Sequence, residues 1–161
     1  MGLREDFVKN AQAEVDNNSI YVWGGQGEKT EGLSIKTLER MEGNNHANVK
    51  RILKHIADIY PDTNNSACFD CSGLVTFHLM KIGCLHSDMT ANGLFKLCKP
   101  INKKDLIPGD LVFKVTDEKA VHVAIYKGDN TLIESVGRDE GVQNTKLSTK
   151  FNKFGRVPAF V

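Results

Sequence analysis

The chain has 161 residues, 40% hydrophobic and 25% charged, with a formal net charge of +1 at pH 7. That length is enough for one domain with its own core. The near-neutral balance gives no electrostatic case for nucleic acid or an anionic surface, and no apolar run approaches the roughly 18 residues a membrane span needs. Met1-Gly2-Leu3-Arg4-Glu5-Asp6 turns acidic at once and lacks an apolar h-region, so no signal peptide is expected. Asp6 stands where a myristoylation motif wants Ser or Thr.

In chain order, Leu3, Phe7, Ala11 and Val15 recur every four residues and predict a helix that gives way at Asn17-Asn18. Ile20-Tyr21-Val22-Trp23 reads as a short strand ended by Gly24-Gly25. Ser34 is placed to cap a short helix at Thr37-Leu38-Glu39. Val49, Ile52, Leu53, Ile56 and Ile59 form a second helical stripe that stops before Pro61. Residues 26–67 therefore read as a polar, partly helical excursion. Leu74, Val75, His78, Leu79 and Ile82 line up with Cys71 at helical steps, and Gly83 is a suitable C′ residue. Ala91–Leu97 predicts a further short helix. After Pro100 the period changes to two. Leu111–Val115, Val121–Tyr126, Thr131–Val136, Val142–Leu147 and Arg156–Phe160 each read as strands. Helices first, then a run of strands, predict an α+β fold with an antiparallel sheet.

Four cysteines, Cys68, Cys71, Cys84 and Cys98, are no disulfide framework in a chain of this size. Cys68-Phe69-Asp70-Cys71 has C-x-x-C spacing, but no second pair stands at a familiar zinc spacing, and a polar loop rather than a βαβ pattern leads into it. We expect neither metal nor cofactor. Cys71 is better placed as a nucleophile. A free thiol has a pKa near ~8.5, and attack needs the thiolate. With Asp70 as N-cap, Cys71 falls in the first helical turn, where unpaired amides favour negative charge and can hold an oxyanion. The plainer reading is a buried thiol at a helix start.

A thiolate needs an imidazole partner, and the imidazole needs an orienting group. His122 lies on a predicted strand, and Glu134 follows it twelve residues later. With Lys127-Gly128-Asp129 as a three-residue loop, Tyr126 pairs with Asn130 and His122 stands opposite Glu134 on the same sheet face. A loop of two or four residues would turn Glu134 away. The alternatives are a half-buried strand histidine without partner and a solvated glutamate. His78, two turns beyond Cys71, is too far to be the base and reads as a core-edge histidine. His46, His55 and His86 have no obvious partners. Pro108-Gly109-Asp110 is a turn signal.

Four blocks in order, Tyr21-Val22-Trp23-Gly24-Gly25, Phe69-Asp70-Cys71-Ser72-Gly73-Leu74-Val75, Leu106–Phe113 and Val121-His122-Val123-Ala124-Ile125-Tyr126, resemble the NlpC family of papain-like cell-wall cysteine peptidases. The resemblance implies one domain over residues 1–161, with a cysteine-bearing helix packed against an antiparallel sheet. It implies hydrolysis of peptidoglycan stem peptides at the γ-D-glutamyl–diamino acid bond. It implies catalytic roles for Cys71, His122 and Glu134, although the third position is often His. It places Tyr21, Asp70 and Ser72 on the nucleophile's side of the cleft, Tyr21 supporting the oxyanion. Compact relatives lack the long segment 26–69, an insertion expected to flank or roof the cleft.

The expected partner is a peptidoglycan stem peptide, with no nucleic acid and no membrane, and the expected state is a monomer. Without an export signal, the chain is expected to be made in the cytoplasm and to act on the wall as a phage-type lysin, a phage-tail or conjugation component, or a fragment of an exported protein. Three rivals remain: a thiol amidase or acyltransferase of the same fold on a non-wall substrate, a non-enzymatic wall-binding domain, and a zinc protein using Cys68 and Cys71.

Overall fold

The computed structural model describes residues 2–161. Helix α1 (Leu3–Asp16) buries Phe7 and Ala11, the middle of its predicted stripe; Asn17 is its C-cap, and the chain turns away at Asn18, whose φ is 57°. Ile20–Trp23 is not a strand. It makes one parallel bridge, Ile20 to Cys68, and then turns at Gly24, with Gly25 N–H bonded to the Val22 carbonyl at 2.9 Å. Its β-prone side chains are buried (Ile20, Tyr21 and Val22), but the two glycines end the run before a ladder forms.

The inserted segment stands on a two-stranded antiparallel stem that periodicity did not reveal. Strand β1 (Gln26–Lys29) pairs with β2 (Ala67–Phe69), with a bulge between Gln26 and Glu28. Between them lie α2 (Ile35–Met41) and α3 (His46–Ile59). Ser34 caps α2, as expected, by accepting from Thr37 N–H at 3.1 Å. The α3 stripe packs Val49 and Ile52 with Leu38, Ile20, Val22 and Cys68, in a core separate from the main one.

Helix α4 (Cys71–Lys81) ends in a Schellman motif: Gly83 (φ 78°) and Cys84 N–H bond back to Met80 and Leu79. Helix α5 (Ala91–Leu97) is capped by Thr90. Six strands follow, all antiparallel in the pairs they form. They are β3 (Lys99–Pro100), β4 (Leu111–Thr116), β5 (Lys119–Gly128), β6 (Thr131–Gly137), β7 (Gly141–Lys146) and β8 (Lys153–Arg156), in spatial order β3-β8-β4-β5-β6-β7. The last strand therefore lies ahead of the expected Arg156–Phe160. Pro158, which has no N–H for a ladder, opens a 3-10 turn over Pro158–Phe160 instead.

The main core joins α1, α4 and α5 to one sheet face through Phe7, Leu74, Leu79, Leu94, Phe113, Val123, Ile125 and Ile133. A smaller cluster of Val112, Ala124, Tyr126, Leu132 and Phe151 covers the other face. No helix among the described residues is long and apolar enough to cross a membrane.

Candidate active site

Two irregularities in the sheet aim the histidine and the glutamate. The β4–β5 ladder pairs Lys114 with His122 but Val115 with Ala120, so β5 carries one extra residue, Val121. This bulge lets Ala120 and Val123, three apart, enter the same core, while His122 takes the opposite face.

The β5–β6 register differs from the expected one. Tyr126 pairs with Leu132 and Gly128 with Thr131, around a two-residue turn, Asp129-Asn130, with φ values of 50° and 58°. A two-residue loop alone would have reversed Glu134. The bulge between Tyr126 and Gly128 absorbs the odd residue and restores parity. Continued past Ile125↔Ile133, the register sets Ala124 opposite Glu134, with His122 diagonal to it on the same face.

The side chains meet across that diagonal. His122 Nε2 and Glu134 Oε2 are 2.6 Å apart, and the glutamate is 2% exposed. Thr145 Oγ1 donates to Glu134 Oε1 at 2.6 Å, so both carboxylate oxygens are engaged. Thr145 pairs with Leu132 across β6–β7, on the glutamate's face. With Nε2 engaged by the glutamate, Nδ1 is the ring nitrogen left for Cys71. Burial alone would lower the His122 pKa; hydrogen bonds to Cys71 and Glu134 outweigh it and push the ring up to about 9. Burial would likewise raise the Glu134 carboxyl, but the bonds from His122 and Thr145 hold it below its ordinary value. Phe151 covers the imidazole at 5.8 Å between ring centroids.

Cys71 is the first residue of α4 because Asp70 caps that helix. Asp70 Oδ1 accepts from Gly73 N–H at 2.6 Å and Ser72 Oγ at 3.3 Å, while Oδ2 accepts from Gly24 N–H at 3.0 Å. Burial raises the Asp70 carboxyl although these bonds oppose it. Leu74 N–H bonds the Asp70 carbonyl. Of the four amides that open the helix, those of Cys71 and Ser72 are thus left for a ligand. At Gly73 a Cβ would collide with the Gly25 carbonyl, so only glycine lets the Gly24-Gly25 turn pack on this helix start. Ser135 Oγ donates to the Phe69 carbonyl at 2.7 Å, tying β6 to the residue ahead of Asp70.

Tyr21 precedes by three residues the Gly24-Gly25 turn that packs on this helix start. Burial first, then the Cys71 charge, push its phenol up to about 12. All three residues expected on the nucleophile's side, Tyr21, Asp70 and Ser72, are therefore gathered around the helix start, with Asp70 committed to capping. Sequence reasoning missed Thr145, Phe151, Glu42 and Arg138, whose neighbours depend on sheet register and on the insertion's path. His78 is buried rather than at the core edge, and its Nε2 meets Glu14 Oε2 at 2.8 Å. Asp110 is held by Arg156 at 2.7 and 2.9 Å. Cys68 faces Glu28 at 3.5 Å, within the insertion's core.

The sequence matches the model of the NlpC/P60 family over residues 18–155. The chain belongs to the NlpC/P60 family. Among curated relatives, murein DD-endopeptidase MepH of Escherichia coli (strain K12) is 36% identical over 87 residues, 52% of this chain and 32% of that protein. The bifunctional muramidase/DL-endopeptidase CwlT of Bacillus subtilis (strain 168) is 33% identical over 119 residues, 68% of this chain and 35% of that protein. The matched stretches thus span about a third of those relatives. RipD of Mycobacterium tuberculosis, described as a non-catalytic NlpC/p60 domain protein adapted to peptidoglycan binding, superposes with a TM-score of 0.65 at 19% identity, covering 98% of each chain. At that identity the likeness shows the shared α+β fold.

Thiol reactivity separates Cys71 from the other three cysteines of this NlpC/P60 chain. Burial pushes the thiols of Cys68 and Cys98 up, Glu28 adding to it at Cys68 and Asp110 at Cys98; burial also raises Cys84. Cys71 is half-exposed beside His122. Substoichiometric iodoacetamide at neutral pH is expected to label Cys71 first, as read by peptide mass spectrometry. Faster labelling of Cys84 would contradict this ordering.

Proposed function

We propose that residues 1–161 act as one NlpC-like cysteine peptidase domain, monomeric, with residues 26–69 as an insertion. The proposed substrate is a peptidoglycan stem peptide, cut at the γ-D-glutamyl–diamino acid bond. The observation that carries this reading is the His122–Glu134 contact at 2.6 Å, with Cys71 at the N-terminus of α4 among the groups that raise the charge of the same ring. Names of relatives add to it: MepH and CwlT are called endopeptidases, the first of murein.

In this reading Cys71 Sγ attacks the scissile carbonyl carbon. The oxyanion takes the Cys71 and Ser72 amides and the Tyr21 hydroxyl, which stays protonated and so can donate. His122 gives its proton to the departing amine as the C–N bond breaks, leaving a thioester on Cys71. Water, deprotonated by His122, then attacks the thioester and releases the carboxylate and the thiol. Glu134, fixed by Thr145, holds the ring in one pose and favours its charged form. All three groups come from one chain, so the reaction needs no second copy. The substrate places the action at the cell wall.

Digestion of purified sacculi, followed by mass spectrometry of the muropeptides, tests this. The expected products are disaccharide-dipeptides ending in glutamate and fragments with a new amino terminus on the diamino acid. Conversion of cross-linked dimers to intact monomers would instead assign the DD bond named for MepH. Unchanged muropeptides would contradict the substrate assignment. They are the outcome expected of a binding role like the one described for RipD.

A further inference from the structure

One side chain of the insertion, Glu42, reaches the segment that carries Tyr21. Glu42 closes α2 as its C-terminal cap, and its carboxylate is 1% exposed. Donors from three segments converge on it. Arg138 Nε and Nη2 donate to Oε1 at 3.0 and 2.7 Å, and Asn48 Nδ2 to Oε1 at 3.3 Å. Trp23 N–H donates to Oε2 at 2.8 Å. Arg138 follows Glu134 by four residues, just beyond the end of β6. Its guanidinium stands over the Tyr21 ring, 5.1 Å from the centroid.

We propose that Glu42 and Arg138 are positioning residues: the insertion's carboxylate fixes the Arg138 guanidinium, which clamps the Tyr21 ring and so sets where its hydroxyl points. Two N–H groups on one carboxylate oxygen set the guanidinium plane, and a fixed plane lies on an aromatic face. Glu42 also holds the Trp23 amide, so the backbone carrying Tyr21 is fixed at the same point. A purely structural tie between insertion and sheet exists elsewhere, in the exposed pair of Arg51 with Asp139 at 2.9 Å. The buried pair is the one that touches Tyr21. This inference rests on the proposed function for the role of Tyr21, and it makes the insertion part of the machinery rather than an ornament beside it.

The test uses acylation of Cys71 by p-nitrophenyl acetate, which needs an oxyanion but no wall peptide. The Sγ–acetyl bond forms, the ester C–O bond breaks, and p-nitrophenolate leaves as a burst. Glu42→Gln with Arg138→Met removes both charges together and strands neither. It is expected to slow the burst about tenfold or more with Tyr21 intact, and less than about twofold in the Tyr21→Phe background. Arg138→Lys keeps the buried charge pair without the two-point contact and is expected to show the same dependence on Tyr21; it serves if the double variant does not fold. A burst unchanged by these substitutions, or slowed equally in both backgrounds, overturns the proposal. A burst that follows the expected pattern without any digestion of sacculi upholds it and overturns the substrate reading instead. Absence of a burst in the parent chain overturns both.

Discussion

Replacing Cys71 by alanine is expected to abolish release of muropeptide fragments, a fall in kcat of at least about 10⁴-fold, while the thermal midpoint is expected to stay within about 3 °C of the parent. The asymmetry follows from where the sulfur sits. Cys71 opens a helix capped by Asp70 and is half-exposed, so removing one sulfur leaves the cap, the Gly24 tie and the core below unchanged. The proposed reaction, by contrast, has no second nucleophile at hand: Cys68 lies in the insertion's core, Cys98 in the main one, and Cys84 beyond the opposite end of α4. Digestion assays with calorimetry on the same preparation read both quantities. Full activity in the variant would end the proposed mechanism.

Glu134→Gln is expected to lower kcat/KM by about 10² to 10⁴-fold, the range set by losing the acid behind a catalytic imidazole. More telling is the pH profile. In the parent, the imidazolium is lost only as pH rises through about 9, because bonds to Cys71 and Glu134 overcome burial. Glutamine keeps the shape but removes the charge, and burial remains, so the ring pKa falls. The alkaline limb of the profile then moves to lower pH. A limb that stays in place would show that Glu134 does not set the charge of His122.

Stability follows the same linkage. A ring pKa raised above the ordinary histidine value contributes stability that is fully present below about 6.5 and lost as pH rises through about 9. Glu134 has a depressed pKa, so its contribution holds above the ordinary carboxylate value and fades as pH falls through the depressed one. The pair thus stabilises the fold most between those two limits.

How much of this could be read from the residues alone depends on the range of the contact. The cysteine helix was legible from its cap to its C′ glycine, because Asp70, Gly83 and the stripe between them are local signals. Thr90 and Ser34 cap their helices for the same reason. The short β1–β2 stem was not legible. Its seven residues carry no alternation, and it exists because two distant segments meet beneath the Gly24-Gly25 turn. The even spacing predicts the pairing of His122 with Glu134, yet the ladder it predicts lies two residues from the observed one. Parity survives such a shift; direct opposition does not. Thr145 and Arg138 needed the β6–β7 register and the path of the insertion, neither of which local composition encodes.

The Asp129-Asn130 turn and the bulge beside it carry a rule for tolerated length variation. One residue added to or removed from this corner swings the carboxylate of β6 to the helix side, where Ile133 and Ser135 now point. Two residues changed together leave it facing the imidazole. Grafts and natural indels at this corner should therefore survive in even numbers, and an odd one should leave a folded protein with no acid behind its histidine.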